Sequence, residues 1–348
     1  MNVELYRVDR KNAGEWDEIV HESSHGTIFH TWDWLNIAAT HSGFALHPLM
    51  GSVNDEPIGL LPLFQKKQFG INLVVSPPPP HTALLYLGPV LRFDAVQQQS
   101  KRERLYVSFL DAINDYIRQE LKAQYVQIFL PPALSDPRPF TWSGYTVKPE
   151  YSYVTDLSPP GAEHLFLSLP KKKRQDINRA QKRGLTVETG GKHELEAVYN
   201  LMVDRYREQG RTVRVPKEYL CEIYDAYPPE NVKIFVARSE GDIVTGLIDI
   251  LYENTLLSWI GNPKPLKNIS PPSPNDLLVW EEIQYCCKQG LTSYVTMGGR
   301  PEMNGCIPIT LRNSIRILTS GFQRKNVPLL WYVWNRHIPM SINRLPHH

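Results

Sequence analysis

The chain has 348 residues, of which 42% are apolar and 21% are charged, and a formal net charge of +2. This composition predicts a folded protein of about two domains and excludes a disordered chain. No apolar run approaches the ~18 residues of a membrane-spanning helix, and residues 1–10 lack the pattern of a secretion signal. We therefore expect a cytoplasmic protein without a transmembrane segment.

The cysteines and histidines show no metal-binding spacing. The four cysteines include one adjacent pair and no CxxC motif, and the eleven histidines include no HExxH motif. We expect buried thiols, and no metal site is predicted.

Hydrophobic periodicity divides the first half into alternating helices and strands. In chain order, we predict helices over residues 14–22 and 31–41, a hairpin of strands 46–52 and 58–64, a strand over 83–87 after a proline loop, a helix over 102–122 and a strand over 125–130. Residues 54–57 (NDEP) are of the types that favour tight turns, and they indicate the hairpin.

The second half repeats this order of elements. We predict helices over 193–209 and 217–227, a hairpin of strands 232–238 and 243–252, a strand over 256–260, a helix over 275–289 and a strand over 293–297, followed by strands over 315–318 and 327–333. Gly59 and Gly246 occupy equivalent places in the two hairpins. The repeat favours a tandem duplication, although the same element order also arises by coincidence in α+β domains.

Residues 131–160 contain seven prolines and no sustained hydrophobic period. We expect a long extended connection here. It divides the chain into an N-terminal domain over residues 1–150 and a C-terminal domain over residues 151–348.

Seven basic residues and one acidic residue lie within residues 170–184, which are predicted to form a helix between Pro170 and Gly184. Because the basic residues are concentrated in this one segment, a DNA-binding surface is not expected. Lysines at a helix N-terminus oppose the helix dipole unless an anion is bound nearby. We therefore predict a phosphate-binding site formed by Lys171, Lys172, Arg174 and Arg179. A solvated basic helix without a ligand is the alternative.

Four further residues are candidates for a reaction site. Asp249 lies between two isoleucines on a predicted central strand, where it could project into a cleft as a general base. A paired structural carboxylate is the alternative. Trp259 on the following strand, and Arg205 with Tyr206 on a preceding helix, could line an acceptor groove, while core packing is the alternative for the two aromatic residues.

Several motifs occur in an order that resembles the FemAB-like group of GNAT acyltransferases, which includes the peptidoglycan interpeptide-bridge aminoacyltransferases. They are residues 28–34 (IFHTWDW), 58–63 (IGLLPL), 144–145 (GY), 153–157 (YVTDL), 169–184 (LPKKKRQDINRAQKRG), 275–280 (NDLLVW) and 298–299 (GG). The resemblance implies an α+β fold of two tandem GNAT-like domains, with mixed sheets flanked by helices. It also implies transfer of an acyl or aminoacyl group to an amine acceptor, with the basic helix beside the substrate cleft.

Three positions depart from the family pattern by loss of a charged residue. The chain has Thr296 two residues before the glycine pair, Thr319 after Leu318 near its end, and Ala38 one helical turn after Trp34. These departures leave open a second interpretation, in which the scaffold is a non-catalytic module that binds an anion, a nucleotide phosphate or RNA.

The identity of the acyl donor is open between an acyl-CoA and an aminoacyl-tRNA. Residues 262–274 contain five prolines and no glycine, so they offer few backbone N–H groups for the pyrophosphate of coenzyme A. We do not expect coenzyme A to bind on the backbone amides of this segment. The expected partner is a phosphate-bearing small molecule or a tRNA-linked donor.

Overall fold

A computed structural model describes residues 2–93, 96–134, 136–158, 161–261, 274–299 and 315–324. The fold is α+β, with two mixed sheets that are each flanked by helices. None of the helices in these ranges combines the length and apolar composition needed to cross a bilayer.

The first sheet is built entirely from the first half of the chain. Its strands are β1 (Glu4–Arg7), β2 (Ala45–Val53), β3 (Glu56–Gln68), β4 (Ile71–Ser76), β5 (Val90–Leu91) and β6 (Tyr125–Ile128). They follow the order β1-β2-β3-β4-β6, with β5 paired to β3, and β4 and β6 are the parallel pair. The accompanying helices are α1 (Ala13–Glu22), α2 (Trp32–Ser42) and α3 (Gln99–Gln119).

Helix α3 covers one face of this sheet through an apolar stripe. Its buried residues recur at helical spacing and include Leu105, Phe109, Ile113 and Ile117. The Phe109 ring lies directly over Gly51 of β2, where a Cβ atom would approach the ring to 2.6 Å. The absence of a side chain at Gly51 therefore lets the helix lie close to the sheet.

The connection between the two halves forms regular structure. It contains a short helix, α4 (Arg138–Trp142), and a long strand, β7 (Tyr145–Asp156). The connection is extended over β7, as predicted, but β7 lies within the second sheet, between β12 (Ser293–Gly299) and β13 (Ile315–Arg324). The predicted domain boundary at residues 150 and 151 falls inside β7, and the division into two domains at that point stays a prediction.

The second sheet has seven strands. The remaining ones are β8 (Thr186–Gly190), β9 (Val232–Ser239), β10 (Asp242–Tyr252) and β11 (Thr255–Gly261), and the strand order is β13-β7-β12-β11-β10-β9-β8. Strands β11 and β12 are parallel, and the other pairs are antiparallel. The helices of this half are α5 (Ala162–Ser168), α6 (Lys171–Lys182), α7 (Lys192–Glu208), α8 (Lys217–Ala226) and α9 (Pro274–Lys288).

Both predicted hairpins close with two-residue turns whose residues have positive φ. These φ angles are 52° and 62° at Asn54 and Asp55, and 52° and 92° at Glu240 and Gly241. Such turns match the twist of paired strands. In each half the hairpin is followed by a third strand, a crossover helix and a parallel strand, so the repeated order predicted from the sequence is confirmed.

One strand prediction in the first half is wrong. Residues 83–87 form no strand, whereas β4 lies earlier, immediately before the proline loop. The chain reverses tightly from β3 into β4 at Phe69 and Gly70, which both have positive φ. The polar residues 65–68 continue β3 up to this turn, so β4 is separated from β3 by two residues and not by the proline loop. The strand predicted over 327–333 lies outside the described residues.

Aromatic side chains join the two halves. Trp34 of α2 donates a hydrogen bond from Nε1 to the hydroxyl of Tyr219 on α8, at 2.9 Å. Its ring also packs against Trp259 of β11 and Tyr227, with centroids 5.4 and 5.1 Å apart. The two halves therefore share one buried apolar cluster.

Candidate functional site

The parallel strands of the second sheet separate at one end. Pairing between β11 and β12 runs from Thr255 and Ser293 to Ser258 and Thr296. Beyond that point β11 stays paired to β10 as far as Gly261, while β12 returns to β7 at its last residue. We call the resulting gap between residues 259–261 and 297–299 the β11–β12 opening.

Two glycines allow the strands behind the opening to approach closely. Gly261 has a φ of 118°, and a Cβ atom there would lie 2.7 Å from the carbonyl oxygen of Gly246. A Cβ atom at Gly246 would lie 2.3 Å from Val198 of α7. These positions therefore require glycine for steric reasons.

The equivalent place in the first sheet is filled by the chain itself. Ser76 ends β4, and its carbonyl oxygen accepts a hydrogen bond of 2.7 Å from the N–H of Phe129. The Leu87 N–H donates to the Phe129 carbonyl at 3.0 Å, and the Gly88 N–H donates to Ser76 Oγ at 3.2 Å. Residues 87–88 thus bridge the ends of β4 and β6, and Leu87 is fully buried.

Helix α6 lies against the first turn of α9, beside the β11–β12 opening. Lys173 places Nζ 2.9 and 2.7 Å from the two carboxylate oxygens of Asp276. This ion pair is substantially buried, since the side chains are 27% and 6% exposed. Ile177 and Ala180 of α6 are buried in the same apolar cluster as Leu277 of α9. The ion pair and the apolar contacts together fix how α6 presents its remaining cations.

The predicted phosphate-binding residues all lie on α6, but they differ in their surroundings. Lys171 and Lys172 are exposed and form no ion pair with any residue in the described ranges. Arg174 is half-buried, and its Nε atom has no hydrogen-bond partner among the described residues. Arg179 pairs with Asp176, one turn earlier on the same helix, at 2.5 Å. Three of the four predicted cations are therefore available to an anion, and Arg179 is partly neutralised.

The predicted acceptor-groove residues are not brought together. Arg205 pairs with Glu208 at 2.6 Å near the end of α7, and its neighbour Tyr206 is 40% exposed. Trp259 is buried, and its Nε1 donates to the carbonyl oxygen of Ala83 at 2.9 Å. The Trp259 ring thus packs between the two halves, as the core-packing alternative described.

Asp249 lies beneath the sheet surface that α9 covers. It is directly opposite Ser258, at an irregularity in the pairing of β10 with β11, and has no solvent exposure. Neither carboxylate oxygen has a side-chain hydrogen-bond partner in the described part of the chain, and the backbone N–H of Trp259 is the donor that lowers the pKa of this carboxyl. Burial raises the pKa of this carboxyl well above its ordinary value. The expectation that Asp249 projects into an open cleft therefore does not match its position, because α9 seals it from solvent.

A second buried acid was missed by the sequence reasoning. Glu282 of α9 has no solvent exposure, and its Oε2 accepts a hydrogen bond of 2.7 Å from the hydroxyl of Tyr294 on β12. Residue 282 falls one turn after Leu278 and one turn before Cys286, which are both buried. A charged residue within this apolar stripe was the signal that could have identified it.

Comparison with known protein families gives a match in the second half of the chain. Residues 171–302 match the family model described as acetyltransferase (GNAT) domain. This segment is a GNAT domain. It contains the basic helix, the hairpin, the β11–β12 opening and α9. Among curated proteins, none matches the chain in sequence.

Solved structures extend the likeness beyond the GNAT domain. The crystal structure of FemX aligns with a TM-score of 0.67 and 13% identity, over 96% of this chain and 99% of that chain. L-PGS from Bacillus licheniformis aligns with a TM-score of 0.52 and 15% identity, over 94% and 96% of the two chains. A tandem GNAT protein from the clavulanic acid biosynthesis pathway gives 0.51 and 11%, over 92% and 98%. These likenesses confirm the tandem GNAT fold that the motifs implied.

The three departures from the family pattern occupy different places. Thr296 is the last β12 residue paired to β11, at the base of the opening in the GNAT domain. Ala38 is fully buried in α2 of the first half. Leu318 pairs with residue 150 of β7, and Thr319 pairs with residue 149. Of the three, Thr296 alone is placed at the opening by strand pairing. The proline-rich donor segment, apart from Pro274, lies outside the described residues.

Proposed function

We propose that the chain transfers an acyl or aminoacyl group to an amine acceptor, with the donor bound at the β11–β12 opening of the GNAT domain. The observation that carries this proposal is the separation of two parallel strands beside the first turn of α9. Facing strand edges that no longer pair with each other can offer backbone N–H groups to a bound carbonyl oxygen. The FemAB-like role within this reaction class is supported by the ordered motifs and by the fold shared with FemX.

In this proposal, helix α6 binds the phosphate of the donor. Lys171 and Lys172 project from its first turn, and Arg174 adds an enclosed Nε that lacks a partner among the described residues. The ion pair of Lys173 with Asp276 holds this end of α6 at the start of α9. A phosphate held by these side chains needs no backbone amides from the proline-rich segment. This arrangement suits a nucleotide-linked donor of either class, acyl-CoA or aminoacyl-tRNA.

The chemistry requires that the acceptor amine attack the donor carbonyl and lose a proton, while the leaving thiol or hydroxyl gains one. Asp249 was the predicted base. Its enclosure beneath α9 keeps an acceptor amine from reaching it, and burial raises the pKa of its carboxyl, so its position does not suit a base. We therefore propose that the amine enters unprotonated and that the proton it loses after attack passes to the leaving thiolate or alkoxide. Oxyanion stabilisation at the strand edges then supplies most of the acceleration.

The experiment measures donor binding and transfer separately. The full chain is titrated with acetyl-CoA, a longer acyl-CoA and charged tRNA, and product formation on small amines is followed by mass spectrometry. The double variant Lys172→Ala with Arg174→Ala should weaken donor binding by at least about a hundredfold, because charge-assisted contacts contribute about 1.5–3 kcal/mol each. Its control, Lys67→Ala with Lys101→Ala, removes two exposed lysines from the first half.

The outcomes of this experiment distinguish acyl transfer, non-catalytic binding and a solvated helix without a ligand. Salt-sensitive loss of binding in the α6 variant alone, together with transfer by the parent, supports the proposal. Binding of RNA or nucleotides without any transfer supports the non-catalytic alternative. Equal affinities in parent, variant and control mean that α6 is a solvated helix, and the proposed donor site is then wrong. Tight binding of coenzyme A with its pyrophosphate on residues 262–274 would contradict the side-chain anchoring.

A further inference from the structure

A buried cluster of ionisable groups lies between α9 and the second sheet. Asp249 of β10, Glu282 and Cys286 of α9, and Tyr294 of β12 are all without solvent exposure. The Tyr294 hydroxyl donates a hydrogen bond to Glu282, and Asp249 lies opposite Ser258 of β11, which lies opposite Thr296 of β12. In keeping with this arrangement, both acids raise the pKa of Tyr294 and of Cys286. Three carboxylate oxygens, two of Asp249 and one of Glu282, have no side-chain hydrogen-bond partner among the described residues. The backbone N–H of Trp259 interacts with Asp249, but burial has the larger effect on the pKa of this carboxyl.

No cation in the described ranges pairs with these acids. Lys233 of β9 lies opposite Asp249 in the strand register, but its Nζ lies over the Tyr285 ring, 5.7 Å from the centroid. Lys173 of α6 is already bound to Asp276.

The other elements that pack against α9 supply no counter-charge either. On β8, Glu188 is held by Arg238 at the exposed edge of the sheet. On α5, Leu165 is the buried residue that joins the same apolar cluster. Within the described ranges, the groups around the two acids are therefore apolar or neutral.

Two ionised carboxylates cannot be buried together without a cation, because each loses its hydration and repels the other. If one carboxyl is protonated, its O–H becomes a donor and the unpartnered oxygens become its acceptors. We propose that Asp249 and Glu282 share a proton and act as an acid pair that fastens α9 to β10 and β12. The Tyr294 hydroxyl completes the network through its hydrogen bond to Glu282.

The pair makes this interface sensitive to alkali. Burial raises the pKa of Asp249, and burial together with the charge of Asp249 raises the pKa of Glu282. The native state therefore keeps a proton that the unfolded state has already released. Stability is greatest below the ordinary carboxyl pKa of about 4 and decreases as pH rises toward the native pKa. When hydroxide removes the shared proton, two negative charges face each other and α9 is pushed from the sheet, beside the β11–β12 opening.

The test compares Asp249→Asn with the parent from pH 5 to pH 9 by chemical denaturation. Asparagine keeps the shape of the side chain but cannot ionise. We expect the ratio of the two folding equilibrium constants to change in favour of the variant by up to about tenfold per pH unit, until the native pKa is reached. The control Asp242→Asn removes an exposed carboxylate at the start of the same strand and should show no such change. If the folding equilibrium constant of Asp249→Asn is lower than that of the parent by the same factor at every pH, the proposal is overturned.

A second measurement needs no variant that might misfold. Infrared spectra of the parent should contain the C=O band of a protonated carboxyl at pH 7, and this band should disappear on raising the pH, before or together with unfolding. Glu282→Gln, where it folds, should also change the band. Absence of the band at pH 7 overturns the proposal. Neither measurement depends on whether acyl transfer is detected, so failure here is distinguishable from failure of the proposed function.

Discussion

In each sheet, the strand after the hairpin pairs in parallel with the strand that follows the crossover helix. The two sheets differ at the carboxyl end of this parallel pair. In the first sheet, the segment that leaves β4 returns and bonds to the residue after β6, so the gap is closed by Leu87 and Gly88. In the second sheet, β11 and β12 follow different neighbours and leave the β11–β12 opening. One topology therefore serves as a filled support in one half and as a candidate donor site in the other.

Helix α6 strengthens this contrast. It brings basic side chains to the first turn of α9, which is the crossover helix of the second sheet and the counterpart of α3 in the first. The two halves therefore differ at this end of their sheets in one flanking helix and one returning segment.

The largest expected effect tests the filled end of the first sheet. Leu87→Ala should lower the free energy of unfolding by about 2–5 kcal/mol, because a fully buried leucine leaves a cavity. Donor binding should be unchanged once the protein is folded, since the proposed donor site lies in the second half. Leu167→Ala, at a side chain that is 59% exposed, is the control for denaturation and should change stability by less than about 0.5 kcal/mol. Lost donor binding in a folded Leu87→Ala protein would contradict the division of roles.

A second prediction contrasts the acid response of the first half with the alkaline response proposed for the second. His30 is fully buried, its Nδ1 lies 3.2 Å from the Thr27 N–H, and its Nε2 contacts the Leu87 carbonyl at 3.0 Å. Burial lowers the pKa of His30 to about 4. The unfolded state therefore binds a proton that the native state refuses, and stability present above about pH 6.5 is lost as pH falls toward 4.

This loss amounts to about 3 kcal/mol at its full extent, since each pKa unit corresponds to about 1.4 kcal/mol. The measurement is the free energy of unfolding between pH 7 and pH 4 for the parent and His30→Gln. The variant should show a flatter dependence, whereas His193→Gln, at a side chain that is 86% exposed, should follow the parent. Parallel curves for all three proteins would show that His30 does not control the acid response.

The smallest expected effect is the difference in stability loss between alanine substitutions at Gly59 and Gly246, which occupy equivalent positions in the two hairpins. Gly246→Ala should destabilise the protein by about 1–3 kcal/mol, because the new Cβ would lie 2.3 Å from Val198 and 2.8 Å from a backbone oxygen. Gly59→Ala should cost less, since its nearest neighbour would be 3.1 Å away. Thermal unfolding of the two variants gives the comparison directly. Equal losses would mean that the space behind the β11–β12 opening is no tighter than its counterpart.

The elements that could be predicted from the sequence are those whose signals are local. The basic helix was expected between Pro170 and Gly184, and α6 begins directly after Pro170 and is followed by Gly184 at a positive φ of 77°. The hairpins were located by their turn residues. Both kinds of signal depend on neighbours in the chain, so they survive in the folded protein.

The features that escaped prediction depend on distant residues. The apolar pattern of residues 83–87 is typical of a strand. In the structure this segment forms no strand ladder, and it contacts the first sheet through the hydrogen bond from Leu87 to Phe129, just after β6. Asp249 and Glu282 are 33 positions apart, and nothing in either segment shows that they meet under α9. The β11–β12 opening likewise depends on long-range pairing, because after Thr296 strand β12 pairs with β7 and no longer with β11.

The position of β7 has a consequence for how the protein can be made or divided. The match to the GNAT family begins at Lys171, yet β7 ends before it and lies between β12 and β13 in the second sheet. A polypeptide that starts at the family match would leave the hydrogen-bonding edge of β12 bare, and bare edges recruit strands from other chains. The segment before the GNAT domain thus covers an edge of β12 that would otherwise be open to pairing, so a fragment meant to fold alone should begin before β7.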